Sequence, residues 1–490
     1  MTNKWAGLAA LLAGFFVILL DATIVAVASP RIQQDLHASV AGLFWVTAGY
    51  LLAFSVPLLV AGRLGDRYDP RRVFLAGIGS FAGASALCGL APSVGWLVVF
   101  RVVQGLAAAA MAPQALTLIR RLFGADERGR ALGLWGTVAS AGALLGPLLG
   151  GLLTAALDWR WIFLVNVPIC CAAFLMGLRW IPSSRGHTAS LDLLGALLST
   201  MGLGVLVWAL LAWRDTPAPV IAAAGAIAVA LLAGFVVRQR RIGSAALAPP
   251  AVFGSAGFLA ASGAVAALGT VVIAMALPTM LYLQDVRGLG PLQAAVVMTP
   301  DAVVAALLSP AAGRWVDRVG PRRPAILGMV LLAASLMLIG LVVVLGVDPW
   351  WAAPAAVVLG IANAVAWSPL SVAAMASVNA ADAGAASGVF STIRQVAAVT
   401  GVAATGAILA GLRASPTLAF SVVFALMTVI ASAGVLAAIR LPKTSTDGGH
   451  GSEEAVVAQA TTNHQKQPEP GGTTPDTTPP APRHAATAND

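Results

Sequence analysis

Four charged side chains, Asp21, Arg101, Asp301 and Arg394, fall inside long apolar runs of the sequence. A charge at membrane depth is expensive, so each is a functional candidate by default. At a rise of 1.5 Å per helical residue, Asp21 lies roughly 12 Å below the outer end of its run and Arg101 roughly 8 Å below the outer start of another. The two share a depth and can pair. One reading is a buried ion pair that fixes helix packing; the other makes Asp21 a carboxylate that takes up and releases a proton. No histidine occurs within the runs, so a proton carrier there must be a carboxylate. Asp301 and Arg394 lie about 14 to 15 Å into their runs. Asp301 has three readings: a second protonation site, an anchor for a cationic substrate, or a salt bridge to Arg394.

Two further patterns bear on mechanism. The stretch 136–151 places Gly142, Gly146 and Gly150 at i, i+4 spacing, followed by Gly151, which gives one helix a smooth face for close packing. Pro147 within it frees a backbone carbonyl and bends the helix. Packing alone accounts for the glycines; the combined Gly-Pro-Gly-Gly pattern is more specific. The segment GRLGDRYDPRR at 62–72 recurs as GRWVDRVGPRR at 313–323, an internal repeat of the kind from which transporters build a central site that opens alternately to either side. Basic residues are expected in such loops, but an acid at the same place in both copies, Asp66 and Asp317, points to a charge network that latches two helical bundles.

The elements that must hold these residues follow from composition. Of 490 residues, 59% are hydrophobic and 10% charged, with a mean hydropathy of +0.87; soluble domains carry about 25% charged residues. This excludes a soluble globular protein. Runs long enough to cross about 30 Å of hydrocarbon predict fourteen helices, near 6–29, 41–61, 73–93, 96–119, 131–154, 161–181, 191–213, 219–237, 256–283, 292–312, 325–346, 350–374, 384–411 and 417–439. Period-two alternation is absent, which leaves helices to satisfy the backbone in lipid. With the N-terminus inside, cytoplasmic segments carry twenty Lys and Arg and the opposite loops five, a positive-inside bias that puts both termini in the cytoplasm. Cys88, Cys170 and Cys171 lie within runs and read as packing residues. Residues 444–490, rich in Pro, Thr and Gly, lack any apolar run and read as a disordered tail.

The sequence resembles the major facilitator superfamily, and within it the fourteen-helix drug:proton antiporters, over residues 6 to 440. LLDATIVAVASP, which contains Asp21, is similar to the helix 1 signature with its embedded acid. GRLGDRYDPRR resembles the loop 2-3 motif, which implies a gating role for Gly62, Asp66, Arg67 and Arg71, with Asp317 and Arg318 in the second copy; Asp69 and Pro70 stand where Gly and a basic residue are usual. FRVVQGLAAAAMAP at 100–113 resembles the helix 4 motif, which implies proton coupling at Arg101, with Gln104 and Gly105 completing the match. GALLGPLLGG at 142–151 resembles the antiporter motif that marks exporters. WRWIFLVNVP at 159–168 and STIRQVAAVTG at 391–401 look like further marks of this branch.

The resemblance implies an all-α fold with two six-helix bundles, at 1–183 and 251–440, two inserted helices and a linker at 184–250, and a tail at 441–490. It implies efflux of small hydrophobic or cationic compounds in exchange for protons, by a protein that is not an enzyme, in a bacterial inner membrane. Asp301, Arg394, Gln395, Gln104 and Gln284 are the expected substrate contacts. Expected partners are a small-molecule substrate, protons and lipid, without cofactor, metal or nucleic acid, and the chain is expected to be a monomer. A dedicated exporter of one metabolite or antibiotic, and a proton-coupled nutrient importer, are the alternatives.

Overall fold

A computed structural model describes residues 3–55, 57–183, 192–213, 215–242, 250–379, 383–412 and 414–442. The tail from 443 onward and the linker positions 184–191 and 243–249 lie outside these. Among the described residues there is no β-strand. The helices are α1 (Lys4–Asp35), α2 (Val40–Ser55), α3 (Leu58–Tyr68), α4 (Pro70–Gly89), α5 (Val94–Leu122), α6 (Ala125–Ala156), α7 (Trp161–Leu164), α8 (Asn166–Trp180), α9 (Leu193–Ala212), α10 (Ala218–Ile242), α11 (Ala256–Ala274), α12 (Ala276–Leu281), α13 (Pro291–Val319), α14 (Arg322–Leu345), α15 (Ala352–Ala376), α16 (Ala383–Gly411) and α17 (Pro416–Ile439). Among the described residues twelve helical stretches are long and apolar enough to cross a membrane, and Val40–Ser55 and Leu144–Ala156 are shorter apolar helices. The chain is a multi-pass membrane protein.

Three of the expected continuous spans are interrupted, and proline explains where. The stretch 41–61 breaks between α2 and α3 at Pro57, which stands at the N-cap of α3. The stretch 161–181 breaks at Val165, between α7 and α8, and 256–283 breaks at Met275, between α11 and α12. A proline has no N–H for the carbonyl four residues earlier. For Pro168 that carbonyl belongs to Leu164 and for Pro278 to Ala274, the last residues of α7 and α11.

The first eight helices pack together, chiefly α4 on α5, α1 on α6, α2 on α5 and α1 on α8; the last seven do likewise, through α13 on α15, α14 on α15, α14 on α17 and α11 on α16. The contacts that join these halves gather where α1 and α6 end. A Cβ on Gly151 at the end of α6 would meet Leu292 and Ala295 at the start of α13 at 3.0 Å, and one on Gly406 of α16 would meet Phe44 of α2 at 2.7 Å. Toward the other face, a Cβ added at Gly133 or Gly136 of α6 or at Gly313 of α13 would meet no described atom within 4 Å. Of the inserted pair, α9 lies against α16 and α2 and α10 against α9. Trp213, just past α9, donates Nε1–H to the Ala407 carbonyl at 3.2 Å. At the far end of this hairpin, Asp192 caps α9 by accepting from Gly195 N–H at 2.8 Å, and accepts from Arg238 Nε at 2.7 Å and Gln239 Nε2 at 2.8 Å on α10. Burial pushes the Asp192 carboxyl up, but these donors and the Arg238 charge outweigh it and hold it below the usual carboxylate range.

Candidate functional site

Asp21 sits just past the middle of α1, among helices that offer it hydrogen-bond partners. It is 0% exposed, and Arg101 of α5 is 1% exposed. Arg101 Nη1 donates to Asp21 Oδ2 and to Gln104 Oε1 at 2.7 Å. Gln104, one helical turn on, donates Nε2–H to Asp21 Oδ1 at 2.9 Å and to Ser85 Oγ of α4 at 3.2 Å. Asn166 Nδ2, at the first position of α8, donates to the same two acceptors at 3.2 Å each. The Ser85 hydroxyl itself donates to the Phe163 carbonyl at 2.8 Å. Arg101 Nε donates to the Val46 carbonyl at 3.2 Å, and its guanidinium lies 4.0 Å from the Tyr50 ring centroid. Two charges buried out of water are tolerable only when their remaining hydrogen-bonding groups are served in this way. Desolvated aromatic faces add to the cation's stabilisation.

The pairing expected from depth is therefore present, and Gln104, expected as a substrate contact, is hydrogen-bonded in this network, because its position one turn from Arg101 turns it toward the same carboxylate. Asn166, Ser85 and Tyr50 are members that a census of charged residues passes over. Extending that census to amides within apolar runs finds Asn166, two residues before Pro168.

The glycine pattern of α6 divides into two tasks. An added Cβ would strike Leu19 at Gly142, Thr23 at Gly146 and Ile24 at Gly150, all on α1, so the i, i+4 face seats the helix that carries Asp21. Gly151 faces the other way, onto α13. One turn and a half beyond Asp21, the Val27 carbonyl of α1 accepts from Gln284 Nε2 at 2.9 Å. Gln284, expected to touch substrate, thus ties the two halves together, carried there by the irregular turn Tyr282–Val286 that ends the ninth apolar stretch.

In the second half the acid and base lie apart. Asp301 of α13 accepts from Asn363 Nδ2 of α15 at 2.8 Å. Arg394 of α16 lies with its guanidinium 5.5 Å from the Trp367 ring centroid and its stem on Gly269, where a Cβ would come within 2.7 Å. Among the described residues no ion pair joins Asp301 to Arg394. Both are partly exposed, whereas Gln395 is buried.

The repeated loops have matching geometry. Asp69 ends α3 with φ 92°, and its counterpart Gly320 ends α13 with φ 75°; glycine takes this left-handed region freely, and an aspartate there is strained. Asp69 recovers part of that by accepting from Arg71 N–H at 3.1 Å. Arg71 donates Nη2 to the Leu178 carbonyl of α8, and Arg322, at the same place in the second copy, donates Nη2 to the Ile439 carbonyl of α17 at 2.8 Å. Arg67 lies over Tyr68, 5.4 Å from its ring centroid. Asp317 and Arg318 are exposed. The side chains of Gly62 and Asp66 lie outside the described residues.

A helical fold with duplicated loops, halves touching at one face and charge buried in the first half defines a membrane transporter. The family model described as Major Facilitator Superfamily matches residues 11–402 and 259–470, and the chain belongs to that family. It is 39% identical over 406 residues to an uncharacterized MFS-type transporter of Mycobacterium tuberculosis, covering 83% of this chain and 70% of that one. It is 39% identical over 343 residues to the tetracenomycin C resistance and export protein of Streptomyces glaucescens, covering 68% of this chain and 63%, less than two thirds, of that one. It is 35% identical to the puromycin resistance protein of Streptomyces alboniger, covering 84% and 83% of the two chains. Among solved structures, the peptide-transporter-family protein PepTSo superposes with a TM-score of 0.66 at 13% identity, covering 95% of this chain and 98% of that one. A bacterial homolog of human Spinster in an inward-facing, unoccupied conformation gives 0.60 at 17% identity, covering 89% and 96%.

Proposed function

We propose that this protein exports small hydrophobic, often cationic compounds across the cell membrane in exchange for protons, by alternating access. Export rests on the resistance and export proteins among its relatives. Proton coupling rests on one observation above all, the fully buried Asp21–Arg101 pair in a helix that also carries the contact between the halves. Deprotonated Asp21 holds α1 to α5 through Arg101. Protonation from outside removes that charge, weakens the tie, and lets α1 shift along the glycine face of α6. The Val27–Gln284 link stands six residues away on the same helix, roughly 9 Å, so a movement that begins at the carboxyl reaches the closed face directly. The bundles 1–183 and 251–440 are the moving bodies, and 184–250 spans them. Both termini lie in the cytoplasm, which makes the closed face the outer one.

Asp301 and Arg394, partly exposed and unpaired with each other, are the substrate anchors in the second half, Asp301 for cations. The energetics suffice: one elementary charge moved through 100 mV is worth about 2.3 kcal/mol, roughly 50-fold accumulation at 1.4 kcal/mol per tenfold. Transport of this kind makes and breaks no covalent bond and calls for no cofactor, and the chain acts as a monomer. A second reading, a dedicated exporter of one antibiotic or metabolite, is favoured by the naming of relatives at 33 to 39% identity after single compounds, tetracenomycin C, puromycin and methylenomycin A. The test is efflux of ethidium from energised cells. Proton-coupled multidrug export requires that the intact protein extrude the dye and that Asp21→Asn and a proton uncoupler each abolish extrusion. No dye movement by correctly inserted protein leaves the dedicated exporter.

A further inference from the structure

Among the side chains that hydrogen-bond to Asp21, one acceptor, the side-chain carbonyl of Asn166, is buried with no partner. Asn166 Nδ2 spends both protons, on Asp21 Oδ1 and Ser85 Oγ, while Asn166 Oδ1 is buried without a partner. An unpaired buried carbonyl is costly and calls for an explanation. The surroundings suit the anion alone: Asp21 faces three donor groups, from Arg101, Gln104 and Asn166. A neutral carboxylic acid carries an O–H and needs an acceptor. Gln104 Oε1 is occupied by Arg101 Nη1 at 2.7 Å and the Cys88 thiol at 3.7 Å. The Ser85 oxygen already accepts from Gln104 and Asn166 while its proton goes to Phe163. Among the three side chains that hydrogen-bond to Asp21, only Asn166 holds an acceptor in reserve.

We propose that Asn166 is a positioning residue with two settings: its amide donates to Asp21 when the carboxyl is charged, and rotates by half a turn to accept from it when the carboxyl is protonated. The inference rests on Asp21 being the proton carrier. The step balances simply. A proton arrives at Asp21 Oδ1, the hydrogen bonds from Asn166 Nδ2 to Asp21 and Ser85 are both released, Asn166 Oδ1 takes the new O–H while the NH2 group turns to the place Oδ1 held, and Ser85 keeps the donor from Gln104. The other titratable groups facing Asp21 are Arg101 on α5, Tyr50 on α2, Cys88 on α4 and Cys170 on α8; α6 presents Gly142 and Gly146 to this stretch of α1. None of these supplies a free carbonyl. The broken helix serves the same end, since Asn166 begins α8 just after the interruption at Val165 and stands at a point where the backbone is already irregular.

The test is infrared difference spectroscopy of the full chain in lipid nanodiscs, titrated with acid, using isotope-labelled asparagine to mark the side-chain carbonyl. The expected result is a carboxylic acid band that is lost in Asp21→Asn, and an asparagine carbonyl band, lost in Asn166→Leu, that shifts in the same titration. If Asp21 titrates and the asparagine band stays still, the amide switch is overturned and proton coupling stands. If no band assignable to Asp21 appears, both fall. The labelled intact protein alone decides between these outcomes should Asn166→Leu fail to fold.

Discussion

The first half of the molecule buries its acid and base together, and the second keeps them apart. Asp21 and Arg101 are sealed from solvent, joined directly and through Gln104, with Asn166 and Ser85 closing the network. Asp301 and Arg394, near the same depth, are partly exposed, one on Asn363 and the other over Trp367. Both halves descend from one repeated plan, visible in Arg71 and Arg322 reaching matching carbonyls on α8 and α17. One repeated frame therefore holds two different interiors, a sealed one and an accessible one. A sealed pair suits the proton carrier proposed above. Separated, accessible charges are free to meet a larger ligand.

Breaking the sealed pair should have the largest effect. Arg101→Leu leaves Asp21 buried without its cation, which costs about 3–5 kcal/mol. Thermal unfolding in detergent should show a strongly lowered midpoint, and Arg394→Leu, which strands no partner, a much smaller change; equal losses would refute the contrast. Next, Gly146→Val forces a side chain into Thr23 and should cost about 1–3 kcal/mol from overpacking, with efflux lost because α1 no longer seats on α6. Asp301→Asn is expected to keep the fold, since an amide can still accept from Asn363, and to abolish export of cationic dyes while sparing neutral substrates in a transport panel.

Two smaller effects sharpen the picture outside the bundles' interiors. Asp192 has a depressed proton affinity in the folded chain, so its contribution is fully present above the ordinary carboxylate value of about 4 and is lost as pH falls through the folded value. Acid unfolding should therefore begin at higher pH in the wild type than in Asp192→Asn measured relative to each protein's own neutral stability. Asp69→Gly relieves the left-handed strain, about 1 kcal/mol, and loses a cap of similar size, so stability should change by less than about 0.5 kcal/mol. Gly320→Ala, with strain to gain and no cap to lose, should destabilise; similar outcomes for the two would show that the copies are not equivalent.

Much of this was legible in the chain. Asp21 and Arg101 were paired by depth alone, and the glycines of α6 by their spacing, because a helix fixes rise and face within one run. The repeat announced matching loops. Other features depended on what lies across a helix boundary. Gln104 and Gln284 read as substrate contacts, yet in the structure one joins the Asp21 network and the other bridges the halves, since both partners come from α1. Asn166 escaped a search for charge because an amide is cheap enough to pass unnoticed, and gains its meaning from Ser85 and Asp21, 81 and 145 residues away in sequence.

The sequence by itself determined that this chain crosses a membrane many times, which runs are apolar, where charge is buried and that one loop is repeated. These are properties of local composition and of the 3.6-residue period, and lipid enforces them whatever the neighbours. Only the tertiary structure decided which buried charges meet, that Asp301 and Arg394 do not, that Gly151 faces the other half, and that one carbonyl beside Asp21 is left without a partner. Such choices turn on which helix stands beside which. Packing between distant segments settles that, because a buried donor or acceptor is satisfied by whatever atom the assembled bundle brings within about 3 Å.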